Sequence, residues 1–404
     1  MAKQRFANLE FLRATCALVV MLNHVWCEGL GLPQYSPIVA VASYSIEAVM
    51  GFFVLSGCVI SLQDYADTGR YVRARLVRIL PVYYVSLVLA VAGMAVCGMG
   101  YRPSQLLGNA LLLQTQDWSL FDPIRFFIPS WSLSYELYYY AAFIAIMAQP
   151  RLLVPLFSAS VAVGAGLYFI AKPATPLIWP LHVFSFFGMW LAGVLITKLC
   201  RRGHAVSVGT GAFMLMVGLC LARVPLSTPS KFDYFRLACF SVGFAFLVWA
   251  MLSSVLLSTP DKRKSLLDLD PVARGAIAAA SLSLFWRNSD SFLSTKVALS
   301  LCVLAFTVAP SWMAGLVARS ARPFMPFMLY VAGLSYALYL VHYPIVQTFN
   351  NLAILPPFAS LAAVVALSFG LAHLLEYRVQ PWVRVRLMTS KPIAASTTNS
   401  TMRT

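Results

Sequence analysis

The sequence predicts an all-α integral membrane protein, a bundle of about ten to twelve transmembrane helices with both termini in the cytoplasm. Of its 404 residues, 60% are hydrophobic and 11% are charged, whereas about a quarter of a soluble domain is charged. Its apolar runs continue for about twenty residues without the alternation of barrel strands. Because only helices and closed barrels satisfy the backbone inside a bilayer, these runs predict helices.

Eleven apolar runs are long enough to be predicted as spans, and a weaker one covers 271–286. The eleven lie near 8–28, 44–62, 79–99, 131–148, 152–171, 183–199, 205–222, 234–257, 293–318, 328–348 and 358–377. Two cytoplasmic termini require an even number of spans, so either the weak run also crosses or one of the eleven does not. Segment 100–130 is too polar to span, and we expect it on the outer face, dipping into a cavity.

The basic residues set the predicted orientation. The net charge is 30 − 14 = +16. Twenty-one of the 30 Lys and Arg residues fall on the side of the N-terminus, eight fall on the opposite side, and Arg13 lies within the first run. This asymmetry is the positive-inside signal, so it indicates topology rather than nucleic-acid binding. We expect one polytopic domain over 1–390 and a disordered tail over 391–404.

Ionisable residues inside spans are costly and usually face the bundle interior, so they are candidates for function. They are Arg13, His24, Glu47, Glu136, His342, His373 and Glu376. Arg13 and His24 are eleven residues apart, about three turns, which places both on nearly one helix face about 16 Å apart. A snorkelling arginine and a packed histidine are the alternative interpretation. The eight cysteines show no metal-ligand spacing, and we expect neither a metal site nor disulfides.

Three further motifs contain polar groups within or beside apolar runs. Ser56 and Gly57 lie mid-span, where small residues allow close approach of a ligand or a helix. Arg75 and Arg78, at i and i+3, can bind phosphate or simply mark an inside-positive loop. Glu136 opens a span from the outer face at the expected depth of His24, so its carboxylate can orient the imidazole; a structural pair with an arginine is the alternative.

The last motif lies near the C-terminus, in the run GLSYALYLVHYP at 333–344. The span that contains it runs outward, so His342 is predicted near the outer end, where it can line an acceptor site. A packed histidine before a proline kink is the alternative.

Five motifs occur in a fixed order: Arg13 and His24 with ten residues between them, FFVLSG at 52–57, RLVRILP at 75–81, SWSLSYE at 130–136, and GLSYALYLVHYP. Together they resemble membrane-bound acyltransferase family 3, whose members acylate lipopolysaccharide O-antigen, exopolysaccharide and nodulation factors. The resemblance covers roughly residues 5–380. It implies a ten-span core, cytoplasmic acyl-CoA, an acceptor presented from the periplasmic side, an essential histidine at His24, and donor phosphates on Arg75 and Arg78.

We therefore expect an O-acyltransferase of the bacterial inner membrane that moves an acyl group, most often acetyl, from acyl-CoA to a carbohydrate or glycolipid. Acyl-CoA is expected as co-substrate, with no bound cofactor and no nucleic-acid partner. The expected site residues are His24 and Glu136 for catalysis, Arg13, Arg75, Arg78, Ser56 and Gly57 for the donor, and Trp131, Ser335, Tyr336 and His342 on the acceptor side. Direct transfer and a covalent acyl-enzyme both remain open. A transporter and a non-catalytic export protein are the alternative functions.

Overall fold

The computed structural model of the protein describes residues 6–27, 30, 32–33, 37–63, 65, 67–115, 121–169, 179–224, 234–258, 263–289 and 291–388. The predicted tail over 391–404 lies outside these residues. Helices dominate the described chain, and a single pair of short strands accompanies them there. The helices are α1 (Ala7–Leu22), α2 (Pro37–Ala42), α3 (Ser45–Ser61), α4 (Thr68–Val96), α5 (Pro103–Ala110), α6 (Trp131–Ala148), α7 (Leu153–Phe169), α8 (Trp179–Arg201), α9 (Val208–Leu221), α10 (Tyr234–Leu256), α11 (Pro271–Asn288), α12 (Leu293–Val308), α13 (Pro310–Ala321), α14 (Met325–Leu352), α15 (Pro357–Leu374) and α16 (Gln380–Met388).

By length and composition, seven helical segments of the described residues can cross a membrane. Three shorter apolar helices, α3, α9 and α12, accompany them. These lengths confirm the predicted class, an all-α membrane protein with several spans. The number of spans and the side of each terminus stay predictions.

Two predicted spans differ from the structure. The run 293–318 was expected to be one helix, but it divides at Ala309 into α12 and α13. Pro310 is the first residue of α13, and a proline there lacks the N–H that would continue the preceding helix. The run 205–222 begins instead with a strand, β1 (His204–Val206), which pairs in parallel with β2 (Ser265–Leu267). Three-residue strands are too short to show a periodicity that predicts them.

A side-chain contact fastens the end of this strand pair to α9. The hydroxyl groups of Ser207 and Thr210 donate hydrogen bonds of 2.6 and 2.8 Å to the Asp268 carboxylate. These bonds favour the charged form and hold the pKa of Asp268 below its ordinary value. The loop after β2 is thereby fixed to the first turn of α9.

The segment between α4 and α6 contains the short helix α5 and a 3₁₀ turn over Arg125–Ser130. Its described residues contain no helix long enough to span, as the sequence predicted, and two of its polar side chains, Asn109 and Gln114, are buried. Gln114 is fully buried and donates to the hydroxyl of Tyr83 at 2.9 Å. The same Tyr83 hydroxyl donates to the carbonyl of Asn109 at 2.6 Å. These internal hydrogen bonds let the segment return into the bundle.

Helix α1 lies between two of the three apolar clusters that the described residues form. Its Leu12 and Cys16 pack into the cluster built on α3, α6, α8 and α10. Its Ala14 and Met21 pack into the cluster built on α4 and α14. The third cluster lies among α9, α11, α12 and α13. Helix α1 therefore contributes to both clusters, and its remaining side chains lie at the boundary between them.

Helices α3 and α8 approach closely enough for their backbones to touch. A Cβ atom added at Gly57 would collide with the carbonyl oxygen of Trp190. A Cβ atom added at Gly193 would collide in the same way with the carbonyl oxygen of Val54. The two glycines therefore permit this crossing, which is a packing role.

Replacing Gly57 by valine should prevent the crossing, because the colliding atom belongs to the backbone of α8 and cannot rotate away. We expect a loss of about 3 kcal/mol of stability, measured as a lower melting temperature and a lower yield of monodisperse protein in detergent. Gly166→Val on α7 is the matched control, since no atom lies within 4 Å of its added Cβ. Equal stability of the two variants would contradict the packing role.

Candidate active site

The first helix does not end at Leu22 but continues into a π-helical turn over Asn23–Cys27, and this turn contains His24. Nδ1 of His24 lies 2.8 Å from Nε2 of His342 on α14. The two rings stack with centroids 5.1 Å apart, and the ring of Tyr343 meets His24 edge-on at 4.8 Å. His24 is half-buried, whereas His342 is fully buried. The imidazole of His24 therefore points into the bundle, and π turns are frequent at functional sites.

The backbone of α14 fixes the hydrogen-bond roles of this histidine pair. Nδ1 of His342 lies 2.7 Å from the carbonyl oxygen of Leu338, which can only accept, so we assign the Nδ1 proton to His342. Its Nε2 is then an acceptor, and Nδ1 of His24 donates to it. In this tautomer Nε2 of His24 carries the lone pair that a general base needs.

Arg13, in the N-terminal half of α1, contacts the same neighbouring helix. Its Nη2 donates to the carbonyl oxygen of Ala332 at 2.7 Å and forms an ion pair of 2.5 Å with Glu10. Positions 13 and 24 of α1 thus face positions 332 and 342 of α14, so the two helices run parallel. Both functional side chains of α1 face α14, as their spacing predicted.

Glu136 lies in a different contact from the one expected. Its carboxylate accepts hydrogen bonds from the hydroxyl groups of Ser56 and Tyr140. The indole of Trp190 donates to Ser56 at 3.2 Å and completes a cluster from α3, α6 and α8. The expectation that Glu136 orients His24 is corrected by this geometry, because the group at Nδ1 of His24 is His342. Glu136 instead fixes Ser56 at the crossing of α3 and α8.

The side chains of Arg75 and Arg78 extend from α4 toward aromatic rings. The Arg75 guanidinium lies 5.8 Å from the ring centroid of Tyr65 and 5.9 Å from that of Tyr140. It also donates to the side chain of Gln63 at 3.2 Å. Both arginines thereby lie at the end of the bundle where α4 begins.

The Arg78 guanidinium lies 5.2 Å from the ring of Tyr336 and pairs with Glu376 at 2.5 Å. Arg13 is within electrostatic range of both Arg78 and Glu376. Three arginines thus surround one end of the bundle, at the Ala332 end of α14.

Two residues expected on the acceptor side lie at this arginine end instead. The Ser335 hydroxyl donates to the carbonyl of Ala332, which also accepts from Arg13. The Tyr336 hydroxyl donates to the carbonyl of Ile79, next to Arg78. Both lie about two turns from His342 along α14, so their assignment to the acceptor side is corrected.

The remaining two predicted residues are packed into the apolar core. Trp131 is buried and lies edge-on to the rings of Phe53 and Tyr135. Gly57 lies against the backbone of Trp190, so helix packing accounts for it. Among the described residues, no group of three or more His, Cys, Asp or Glu side chains is placed to hold a metal ion.

The family profile described as an acyltransferase domain matches residues 6–377. The chain belongs to membrane-bound acyltransferase family 3. The match covers nearly the whole chain, including both histidines and the three arginines, so this protein is an acyltransferase. No curated protein and no solved structure matches the sequence. Membership in an acyltransferase family argues against the transporter alternative.

Sequence reasoning missed three contributors to the site of this acyltransferase. Tyr140 and Trp190 were treated as ordinary span residues, although each donates a hydrogen bond in the Glu136 cluster. Glu376 was noted as an intramembrane carboxylate but received no role. The available signal was its charge inside an apolar run, which is costly unless a cation is near.

Proposed function

We propose that this acyltransferase moves an acyl group, acetyl in the first instance, from acyl-CoA to a hydroxyl group of a surface polysaccharide or glycolipid. The observation that supports the proposal is the chain of contacts from the Leu338 carbonyl through His342 to His24. It places the Nδ1 proton on His24, so that Nε2 is the nitrogen with the lone pair whenever this imidazole is neutral. A general base of this kind is what a sugar hydroxyl needs before it can attack a thioester.

In the proposed step, Nε2 of His24 takes the proton from the acceptor hydroxyl as its oxygen attacks the thioester carbonyl. The new C–O ester bond forms, the C–S bond breaks, and the proton passes from His24 to the departing CoA thiolate. The His342 ring accepts the hydrogen bond from Nδ1 throughout and stabilises the imidazolium of His24. Direct transfer is the simplest route that this geometry supports.

The arginine end of the bundle is the proposed donor site. Arg13, Arg75 and Arg78 can hold the phosphate groups of CoA, because guanidinium groups bind phosphate in a bidentate manner. Arg13 and His24 lie about 16 Å apart along α1. The long, thin pantetheine arm can cross this distance and bring the thioester to His24. The acceptor then approaches His24 from the opposite side of the bundle.

The proposed setting is the bacterial inner membrane, with ten to twelve spans and both termini in the cytoplasm. The arginine end then faces cytoplasmic acyl-CoA, and the histidine pair lies toward the periplasmic side. The basic residues support this orientation, because 21 of the 30 lie on the side of the N-terminus. One polytopic domain over 1–390 fits the same arrangement.

Comparing the surface glycans of a deletion strain with wild type by mass spectrometry tests the proposal. We expect a mass increment of the glycan, about 42 Da for an acetyl group, to disappear in the deletion strain and to return on complementation. Purified protein should also release free CoA thiol when acyl-CoA and the isolated glycan are mixed. Identical glycans together with no thiol release would contradict the proposal.

A further inference from the structure

The second π-helical turn of the described chain, Leu375–Val379, contains a carboxylate inside the arginine end of the bundle. This carboxylate is Glu376, whose side chain is only 5% exposed and which pairs with Arg78 at 2.5 Å. Its neighbour Tyr377 is exposed. The segment is held against α4 by Gln380, whose amide donates to the carbonyls of Val77 and Arg78. Glu376 is thus fixed beside the guanidinium that we assign to the donor.

Three buried polar atoms at the arginine end have no hydrogen-bond partner among the described residues. Nε of Arg13 and Nε of Arg75 are buried with no hydrogen-bond partner among the described residues. Oε1 of Glu376 is buried and equally without a partner there. Buried polar atoms are usually satisfied, so each exception calls for an explanation. Unused donors on two arginines suit a polyanion, whereas an unused carboxylate oxygen beside them opposes one.

We propose that Glu376 is an intramolecular competitor for the donor site, an anion that occupies Arg78 and that the phosphate groups of CoA must displace. The inference rests on the proposed function, because it assumes that CoA binds at Arg13, Arg75 and Arg78. Its consequence is that Glu376 weakens CoA binding and accelerates the release of free CoA after transfer.

Glu376 could instead only position Arg78, and the electrostatics favour competition. Positioning would require one hydrogen bond, which a neutral glutamine can also provide. A carboxylate in a poorly solvated place repels every phosphate charge nearby, because little water screens it. Arg78 is 39% exposed and can turn toward a ligand, whereas Glu376 is 5% exposed and has little access to water. When CoA takes Arg78, the buried Glu376 carboxylate is left unpaired, and the free energy that this costs weakens the binding of CoA.

Glu376→Gln separates the two roles, with CoA titrated into the purified full-length protein by calorimetry. We expect the Kd of CoA to fall about tenfold and its dissociation to slow by a similar factor. The KM for acyl-CoA should fall as well. Glu376→Asp keeps the charge and should bind CoA as the wild type does, within about threefold. Arg75→Gln, which removes a donor contact, should weaken binding instead.

Asp122→Asn is the matched control, because Asp122 pairs with Arg102 at 2.6 Å beyond the far end of α4 and is exposed. This variant should leave CoA binding unchanged. Equal or weaker CoA binding by Glu376→Gln, with normal melting behaviour and an unchanged control, would overturn the inference and leave the proposed function standing. If the wild-type protein itself bound no CoA, the donor site, and with it the proposed function, would fail.

Discussion

Replacing His24 by alanine should reduce acyl transfer by about 10³-fold, because positioned general bases contribute roughly 10²–10⁴ to a rate. The protein should still fold and insert, since the imidazole is only half-buried. Glycan acylation in cells and CoA thiol release by the purified variant are the two measurements. The donor affinity should change little, because the arginine end of α1 is untouched.

His373→Ala is the matched control for this prediction. His373 also lies near the end of an apolar helix, but it is exposed and contacts Tyr330 and Tyr377 rather than another histidine. We expect this variant to retain activity close to wild type. If His24→Ala retained normal transfer, His24 would not be the general base.

Replacing His342 by alanine should lower kcat about 10²-fold while leaving KM for acyl-CoA nearly unchanged. The variant removes the group that accepts the Nδ1 proton of His24, so the imidazole loses its orientation and its preferred tautomer. Steady-state kinetics of thiol release at fixed acceptor concentration measure both constants.

His342→Gln distinguishes orientation from packing. A glutamine amide can accept from His24 through its oxygen and donate to the Leu338 carbonyl through its nitrogen, which reproduces both contacts of His342. It should therefore recover activity to within about tenfold of wild type. His342→Leu has a similar size but no acceptor and should remain as slow as the alanine variant. Equal rates for the glutamine and leucine variants would contradict the proposed hydrogen-bond chain.

The sequence was sufficient for the membrane class and for the helix face shared by Arg13 and His24. Helical periodicity is a local property, so a spacing of eleven residues determines a common face without knowledge of the neighbours. The contact of both residues with α14 then follows that face. The arginines of α4 were placed correctly at one end for a similar reason, since they lie at the start of an apolar run.

The partners across the bundle could not be predicted. Glu136 was paired with His24 on depth alone, but depth does not give the rotation of α6, which directs the carboxylate to Ser56 and Tyr140. Ser335 and Tyr336 were assigned to the acceptor side because they share a motif with His342. A helix rises 1.5 Å for each residue, so Ser335 and Tyr336 lie about 10 Å from His342, toward the arginine end of the bundle.

Both π turns make the length of their segments critical. A π turn contains one more residue than the α turn it replaces, so it acts like a single-residue insertion in a continuous helix. Deleting one residue after Leu22 or after Leu374 would restore regular winding and swing His24 or Glu376 away from its partner by roughly 100°. A related chain with a regular helix at either place would have one residue fewer there. An alignment should therefore place a gap opposite the extra residue of each π turn, because otherwise it would equate side chains that face different neighbours.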